Sequence, residues 1–486
     1  MLTRRGFLDR VADGLFGAAL VSLLRRESVG GPPGESFKSV DDTVGLRRVY
    51  DLRPRRPHFE PRARSVIHLF MNGGPSQMDL FDPKPALDEH HGRSYFEKIA
   101  GEVENPQAAG AIMRSPFRFA QHGQSGMWVS DAMPHLARQV DSLAIIRSMH
   151  TTNLTHEPAL WQIHSGQTLP GLPSMGSWVA YGLGSENQSL PAYVVLDDSQ
   201  GLPINGVQNW QAGYLPPVYQ GTRFRSTGVP VLDLKPTYEE PESVIRLERE
   251  LIGSLDRLHR ENRPGQLQLD ARIASYELAA RMQLAASDAL DLSQESQQTL
   301  AMYGIGEEKT DSYGRRCLIA RRLVERGVRF VQLFIKHQIW DNHSNLATEL
   351  KAACEGTDKP IAGLLEDLRR LGLLDSTLVV WGGEMGRLPI AQLPGDKDER
   401  KAGRDHNKNA FTTWMAGGGI NGGIAHGATD ELGMRAVEQP VSVADWHATI
   451  LHLLGLDHEE LHFERNGLKE KLTGVFEARV VSEVLV

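Results

Sequence analysis

The chain has 486 residues, of which 40% are hydrophobic and 23% are charged, as in an ordinary soluble globular protein. Its net charge of −8 argues against a general binder of nucleic acids or anionic membranes, although a local basic pocket for an anionic substrate remains open. Cys317 and Cys354 are too few for a disulfide framework or a thiolate metal site, so the 18 histidines are the more informative residues.

The N-terminal segment carries a twin-arginine motif, TRRGFL, followed by a short apolar run at Leu15–Leu24. This pattern predicts that residues 1–29 are a signal segment of the Tat pathway and that the folded protein is exported to the periplasm or cell envelope. A short amphipathic helix is the alternative. The run is too short for a permanent membrane span. Residues 30–63, rich in Pro, Gly and charge, are expected to form a linker.

The first predicted strand, Val66–Met71, is almost continuously apolar and ends at a polar loop. Such a run is typical of a central strand in a parallel sheet that is covered on both faces. Ligands bind at the carboxyl ends of these strands, so Asn72 and Ser76 lie where a functional site is expected. Gly73 and Gly74 are expected to let the backbone approach a ligand. An ordinary strand-to-helix turn is the alternative interpretation.

Further strands and helices alternate along the chain. Strands are predicted at 142–147, 191–196, 328–334, 377–381 and 411–416, and helices at 158–166, 244–258, 269–292, 312–326 and 360–372. This alternation predicts an α/β/α sandwich with a mostly parallel sheet, formed as one domain by residues 64–486. Residues 197–300 are expected to be an insertion of loops and helices.

Carboxylate and imidazole groups cluster at the predicted strand ends. Asp341, His343 and Glu384 follow strands, and His406 precedes one. Converging groups of this kind supply the anionic oxygens and neutral nitrogens that a divalent cation needs. Taken singly, each residue is better explained as a helix cap, a paired surface carboxylate or a turn residue, and the recurrence is what favours a metal site.

Two arginines and the C-terminal helix complete the candidates. Arg387 and Arg404 would suit the anionic oxygens of a substrate. Asp445 and His447 are interpreted as cap and helix-start residues rather than as ligands.

Several motifs together resemble one protein family. They are the segment from His68 to Pro85, YGRRCLIARRLVERGVRFVQLF, WDNHSN, GRDHNKNAFTTWMAGGGINGG and DWHATILHLLGLD. On these motifs the stretch from Ser65 to Val486 is similar to the bacterial family called domain of unknown function 1501 (DUF1501), which is often described as sulfatase-like. The resemblance implies an alkaline phosphatase-like fold and a distant relationship to the alkaline phosphatase and sulfatase superfamily.

That superfamily pattern is altered at two positions. Its members place a metal-binding Asp at the end of the first strand, where this chain has Asn72. Their nucleophile is a Thr, Ser or modified Cys two residues before a Pro and ten before a Gly. Pro158 and Gly166 fit this spacing and put His156 at the nucleophile position. A two-metal mechanism through a covalent enzyme intermediate is therefore not implied.

The resemblance and the strand-end clusters together assign roles to nine residues. The predicted catalytic residues are His156 and Asn72, the predicted substrate-binding residues are Arg387, Arg404 and Ser76, and the predicted metal ligands are Asp341, His343, Glu384 and His406. The cofactor is expected to be a divalent cation, with Zn, Ca, Mg and Mn all open.

Two functions are compatible with this pattern. The first is a metal-dependent hydrolase of sulfate or phosphate esters, on a small-molecule or carbohydrate substrate, with His156 as nucleophile or general base. The second is an exported binding or scaffold protein without turnover. It is suggested by Asn72 and His156, and also by Glu384 and Met385, which stand where the superfamily has a paired Asp and His. The sequence does not indicate an oligomeric state.

Overall fold

The computed structural model describes residues 50–225, 241–263 and 266–486, and the predicted signal at 1–29 lies outside them. One compact unit begins at Tyr50 and runs to the C-terminus. Part of the expected linker belongs to it, because Tyr50 and Leu52 are buried and the backbone N–H of Ala63 donates to Leu453 O at 2.8 Å. No helix in the described ranges is long and apolar enough to cross a membrane.

A nine-stranded sheet forms the centre of the fold. Its strands in chain order are β1 Ser65–Phe70, β2 Leu143–His150, β3 Tyr193–Asp197, β4 Thr222–Arg225, β5 Phe330–Phe334, β6 Thr377–Gly382, β7 Phe411–Ala416, β8 Ile424–His426 and β9 Val441–Ser442. The order across the sheet is β8-β2-β7-β6-β1-β5-β3-β4, and β9 pairs with β2. Only β7 is antiparallel to its neighbours among these strands. The predicted α/β fold with a mostly parallel sheet is confirmed.

Strand β1 lies between β5 and β6 and fixes the edge at which the loops meet. All six of its residues are buried, as the apolar run predicts for a strand with both faces covered. In the parallel register Phe70 lies beside Phe334 of β5 and Gly382 of β6. The loops that follow these three strands therefore leave the sheet at the same edge.

Within the described ranges, seven longer helices accompany the sheet: α1 His156–Ser165, α2 Met175–Leu183, α3 Glu242–Glu261, α4 Leu267–Leu290, α5 Asp311–Glu325, α6 Leu346–Arg370 and α7 Val443–Leu453. Short helices span Gln77–Leu80, Pro85–Glu89, Phe96–Ile99 and Gln297–Met302. Helices α1 and α7 cover one face of the sheet, since the ring centre of His68 on β1 lies 6.0 Å from that of His164 and 5.7 Å from that of Trp446. Ile67 and Leu69, which point to the other face, are fully buried too.

Small two-stranded sheets pair the loops: Ala109–Ile112 with Ile390–Gln392, Phe119–His122 with Met127–Ser130, Gly386–Arg387 with His406–Asn407, Ala428–Thr429 with Ala436–Glu438, and Phe463–Arg465 with Leu468–Glu470. The pairing of Arg387 with His406 joins the loop after β6 to the loop before β7.

Two expectations differ from the structure. The segment 197–300 is not only an insertion, because Thr222–Arg225 pairs with β3 and extends the central sheet. Pro360 does not open a helix but lies inside α6, which begins at Leu346. Gly356 and the polar residues before Pro360 weaken the helical pattern locally, and packing against the domain overrides this preference. The predicted stop of α1 is confirmed, since Gly166 caps it with a φ of 84°.

Candidate metal centre

Five loops bring the predicted site residues to the carboxyl edge of the sheet. Asn72 follows β1, Asp341 follows β5 and Glu384 follows β6, while His156 opens α1. His406 precedes β7, which is antiparallel and therefore begins at the edge where its neighbours end. Because β7 runs in the opposite direction, His406 before β7 lies close to Asp341 and Glu384, which follow β5 and β6.

Four side chains form a compact cluster at this edge: His156, Asp341, His343 and His406. Their ligating atoms all lie within 4.8 Å of one another. The carboxylate of Asp341 is central, since its Oδ2 lies 3.3 Å from His156 Nε2 and its Oδ1 lies 2.9 Å from His343 Nε2 and 3.2 Å from His406 Nε2. The two Nε2 atoms of His343 and His406 are 3.0 Å apart.

A separate acceptor holds the Nδ1 atom of each histidine. His156 Nδ1 lies 2.7 Å from Glu384 Oε1, His406 Nδ1 lies 2.5 Å from Glu104 Oε2, and His343 Nδ1 contacts Gln392 Oε1. Such outer partners fix the ring orientation and the tautomer that leaves Nε2 free to bind a metal. All three rings are thus oriented in the same way, with Nδ1 held and Nε2 turned to the centre.

Arg387 holds the carboxylate of Asp341. Its Nη2 lies 2.6 Å from Asp341 Oδ1, and its Nε donates to Gly74 O at 2.9 Å. Burial opposes a charge on Asp341, but the Arg387 guanidinium and the three imidazoles keep its pKa well below its usual range. Asp341 is therefore an anion at neutral pH.

The two carboxylates beside His156 change its protonation. Burial alone would lower its pKa, but the hydrogen bonds to Asp341 and Glu384 raise the pKa to about 9. Without a metal this imidazole is a cation at neutral pH and neither ring nitrogen has a lone pair available. A histidine held in this way is a poor nucleophile, whereas a bound cation could replace its proton on Nε2.

The cluster fits a divalent cation in distance and charge. Donor atoms of a tetrahedral zinc site with bonds near 2.0 Å are separated by ~3.3 Å. The four distances given above, which involve both oxygens of Asp341, are 2.9–3.3 Å, and the ligating atoms all lie within 4.8 Å of one another. The carboxylates of Asp341, Glu384, Glu104 and Asp405 outnumber the single guanidinium of Arg387 around the three rings. The side chains of His343 and Asp341 are 34% and 19% exposed, so the cluster opens to solvent on their side.

Glu384, predicted as a ligand, lies behind His156 instead. It is fully buried, and its carboxylate accepts hydrogen bonds from His156 Nδ1 and from the backbone N–H of Gly73, the latter at 3.0 Å. His156, predicted as the nucleophile or general base, takes the place in the cluster that the sequence assigned to Glu384.

The three predicted substrate-binding residues lie in a buried polar network. Arg404 is fully buried and pairs with Asp79, its Nε lying 2.7 Å from Asp79 Oδ2. The Ser76 hydroxyl donates to the same oxygen at 2.5 Å. Arg387 is likewise buried and holds Asp341. Burial leaves none of the three available to a substrate at the solvent side, and their partners give them a positioning role.

Asn72 and Gly73 hold the loop that carries Asp341. The Asn72 amide donates to Ile335 O at 2.5 Å and to His337 O at 2.8 Å. Gly73 has a φ of 109°, and a Cβ atom there would lie 2.6 Å from the backbone nitrogen of Asp341. The glycine is required for close approach of this loop rather than of a ligand. Asn72 therefore contacts backbone carbonyls and not the cluster.

Sequence reasoning missed Glu104 and Gln392, the partners of His406 and His343. Glu104 lies in a loop and Gln392 ends the short strand Ile390–Gln392, and nothing in their local sequence indicates these contacts. The plain interpretation of the C-terminal pair is confirmed, because Asp445 forms a capping box with Ser442 and His447 is buried with its Nε2 2.8 Å from Ile163 O.

Comparison with known proteins identifies a family over nearly the whole described unit. The model of the family described as protein of unknown function (DUF1501) matches residues 63–485. A search of curated proteins gives no match.

Solved structures that are similar to the chain include three from bacteria. The lipoteichoic acid synthase LtaP from Listeria monocytogenes is 10% identical, with 82% of this chain and 74% of that chain covered and a TM-score of 0.36. The PsFucS1 sulfatase from Pseudoalteromonas sp. is 11% identical, with 83% and 69% covered and a TM-score of 0.34. The alkaline phosphatase from the Antarctic bacterium TAB5 is 10% identical, with 75% and 94% covered and a TM-score of 0.30. At these values the likeness supports no statement about activity.

Proposed function

The chain belongs to the DUF1501 family, and from the geometry of its own centre we propose that it is a metal-dependent hydrolase of phosphate or sulfate esters. The observation that carries the proposal is the arrangement of His156, His343 and His406 around Asp341. Three Nε2 atoms and one carboxylate meet, and every Nδ1 is held by a further side chain. This combination is typical of metal ligands with fixed outer partners.

The donor set favours zinc over calcium or magnesium. Imidazole nitrogens suit zinc and other transition metals, whereas calcium and magnesium prefer a shell of oxygen atoms. Three of the four donors here are nitrogens. A zinc ion at this place would lower the pKa of a bound water and polarise a phosphoryl or sulfuryl oxygen.

The surrounding residues position the ligands and provide access for a substrate. Glu384 holds the ring of His156, and Arg387 holds the carboxylate of Asp341. The partly exposed side of His343 and Asp341 is where an ester can approach. Because the guanidinium of Arg387 is already engaged, the positive charge that attracts an anionic ester comes from the bound cation.

The attacking group is proposed to be water. In residues 50–225, 241–263 and 266–486, no serine, threonine or cysteine side chain forms a hydrogen bond with the four clustered residues. Both cysteines are buried in helices α5 and α6. A direct displacement by water therefore agrees better with the site than a covalent enzyme intermediate.

The test combines metal analysis with an assay on p-nitrophenyl phosphate and p-nitrophenyl sulfate. We expect near-stoichiometric zinc, ester hydrolysis that stops on chelation and returns with zinc, and loss of both properties in Asp341→Asn. Hydrolysis that persists after chelation and in the variant would exclude the proposed centre. Stoichiometric zinc without turnover of any ester would favour the binding protein instead.

We also propose export by the Tat route, which rests on Arg4 and Arg5 and on the weakly hydrophobic run after them. A fusion of the N-terminal segment to a reporter should reach the periplasm, and changing both arginines to lysine should abolish this. Equal export of the two fusions would refute the proposal.

A further inference from the structure

A basic pocket lies at the edge of the sheet opposite the metal centre. Its cavity of about 650 Å³ is lined by Arg64, Arg329 and Ser376, which directly precede β1, β5 and β6. The metal centre follows the far ends of the same strands. At ~3.3 Å per residue, the six residues of β1 place the two sites roughly 20 Å apart.

The charges in the pocket are unbalanced. Four guanidinium groups and two carboxylates line it, those of Arg55, Arg62, Arg64, Arg329, Glu60 and Glu186. Arg55 is engaged by the carbonyls of Tyr181 and Asp51. The side chains of Arg62 and Arg64 are exposed and form no hydrogen bond or ion pair within the described part of the chain. Two cationic groups are therefore available at the mouth of the cavity.

Arg329 provides a third cation within the wall. It is only 8% exposed, and its Nη1 donates to Arg64 O at 2.7 Å. The Nη2 of Arg329 lies 3.6 Å from Oε1 of Glu186. The buried Nε of Arg329 has no hydrogen-bond partner in the described residues. Burial lowers the pKa of Arg329, and Glu186 offsets this only in part. A buried guanidinium with an unused N–H is stabilised by an added anion.

We propose that this pocket binds a phosphate or sulfate group between Arg62, Arg64 and Arg329, as an anion site separate from the metal centre. Guanidinium groups match the planar pairs of oxygens that such anions present. A cavity of this volume is larger than a free ion needs and falls in the range of small-molecule sites, so it can take an oxyanion carried on a sugar-sized molecule.

The test is calorimetric titration with inorganic phosphate, inorganic sulfate and glucose 6-sulfate. The variant Arg62→Gln/Arg64→Gln removes two exposed pocket charges without touching the core. The control Arg118→Gln/Arg138→Gln removes two exposed charges that do not line the pocket. We expect at least ten-fold weaker binding of these anions in the pocket variant and a change within two-fold in the control.

Two further comparisons distinguish a free ion from an ester group and the basic pocket from the metal centre. Glucose 6-sulfate binding more tightly than sulfate would assign the pocket to an ester group, and the reverse order to a free ion. The variant Asp341→Asn should keep this binding, because the metal centre is at the other edge. Absence of binding to the wild-type protein, equal binding in the pocket variant, or loss of all binding in Asp341→Asn would overturn the proposal.

Discussion

Two groups of three histidines, one at the carboxyl edge of the central sheet and one packed against its face, differ in whether carboxylates surround them. The site histidines, His156, His343 and His406, share the carboxylate of Asp341 at the carboxyl edge. The core histidines, His68, His164 and His447, are buried between β1, α1 and α7. Gln332 lies against two of the core rings, with its Nε2 3.4 Å from His68 Nδ1 and 3.2 Å from His164 Nδ1.

The carboxylates decide what each group can do. Burial lowers the pKa of His68 to about 3 and the pKa of His447 to about 4, and it also lowers the pKa of His164. No carboxylate in the described residues hydrogen-bonds to these rings to offset the effect of burial. At the edge, carboxylates reverse the effect of burial on His156. Burial alone keeps a histidine neutral, so it has a structural role. Burial beside carboxylates stabilises positive charge, so such a histidine can take part in binding a cation.

The largest effect should come from Asp341, whose carboxylate contacts all three site histidines. The variant Asp341→Asn keeps the shape and removes the charge. We expect zinc affinity to fall by more than the roughly 10–100-fold that loss of an outer partner causes, and ester hydrolysis to fall at least ~10³-fold. Metal analysis and steady-state kinetics measure both. Asp445→Asn, a change in the cap of α7, should leave metal content and hydrolysis unchanged.

A smaller effect is expected at Glu384, which touches His156 but not the cation. Glu384→Gln should weaken zinc binding roughly 10–100-fold, because the ring of His156 loses its charged partner at 2.7 Å. Glu325→Gln at the exposed end of α5 is the matched control. Equal zinc affinity in Glu384→Gln and the wild type, measured by competition with a chelator, would contradict the positioning role.

The two groups should also respond oppositely to pH in the metal-free protein. Since the folded pKa values of the core histidines lie below the unfolded value of 6.5, the unfolded state takes up more protons in acid, and stability falls from pH 6.5 towards 4 by up to ~1.4 kcal/mol per pH unit for each histidine. Since the folded pKa of His156 is raised to about 9, its contribution is complete below pH 6.5 and roughly 3 kcal/mol is lost by pH 9.

Urea unfolding at a series of pH values separates these effects. The variant His164→Gln should reduce the slope on the acid side by about one proton, and His156→Gln should remove the loss on the alkaline side. The opposite assignment, with His156→Gln altering only the acid side, would contradict the comparison.

The last effect concerns Gln332 in the core group and should leave the metal centre unchanged. Gln332→Leu removes the contact of Gln332 with the rings of His68 and His164 and one of the contacts of the buried Tyr193 hydroxyl. We expect a loss of roughly 2–4 kcal/mol in the free energy of unfolding with unchanged zinc affinity. Gln124→Leu at an exposed turn should have little effect on either quantity. A drop in zinc affinity would show that the two histidine groups are coupled.

The strands that position the site could be predicted from the sequence, but the contacts within the site could not. Continuous apolar runs predicted β1, β5 and β6, and parallel register then places Asp341 and Glu384 at one edge. The sequence could not show that Glu384 stands behind His156, because that depends on how the loop after β6 packs on Gly73. The resemblance singled out His156 on α1, but it could not show that His156 joins the cluster around Asp341, because that depends on its tertiary neighbours.

Arg387 and Arg404 were predicted as substrate contacts for a related reason. An arginine at a strand end can bind either a substrate anion or a carboxylate of the protein. The structure shows that Arg387 binds Asp341 and that Arg404 binds Asp79. The partners Glu104, in a loop, and Gln392, in a short strand, reach the cluster through tertiary contacts, which no local pattern encodes.

The most direct measurement is a titration of the metal-free protein with zinc at pH 7.5, by calorimetry in two buffers of different ionisation enthalpy. The centre described here predicts one zinc ion per chain and release of about one proton, because the pKa of His156 near 9 keeps that ring protonated until the cation replaces its proton. In Asp341→Asn the strong binding should disappear. Absence of zinc binding to the wild-type protein, or equally strong binding to Asp341→Asn, would contradict the account.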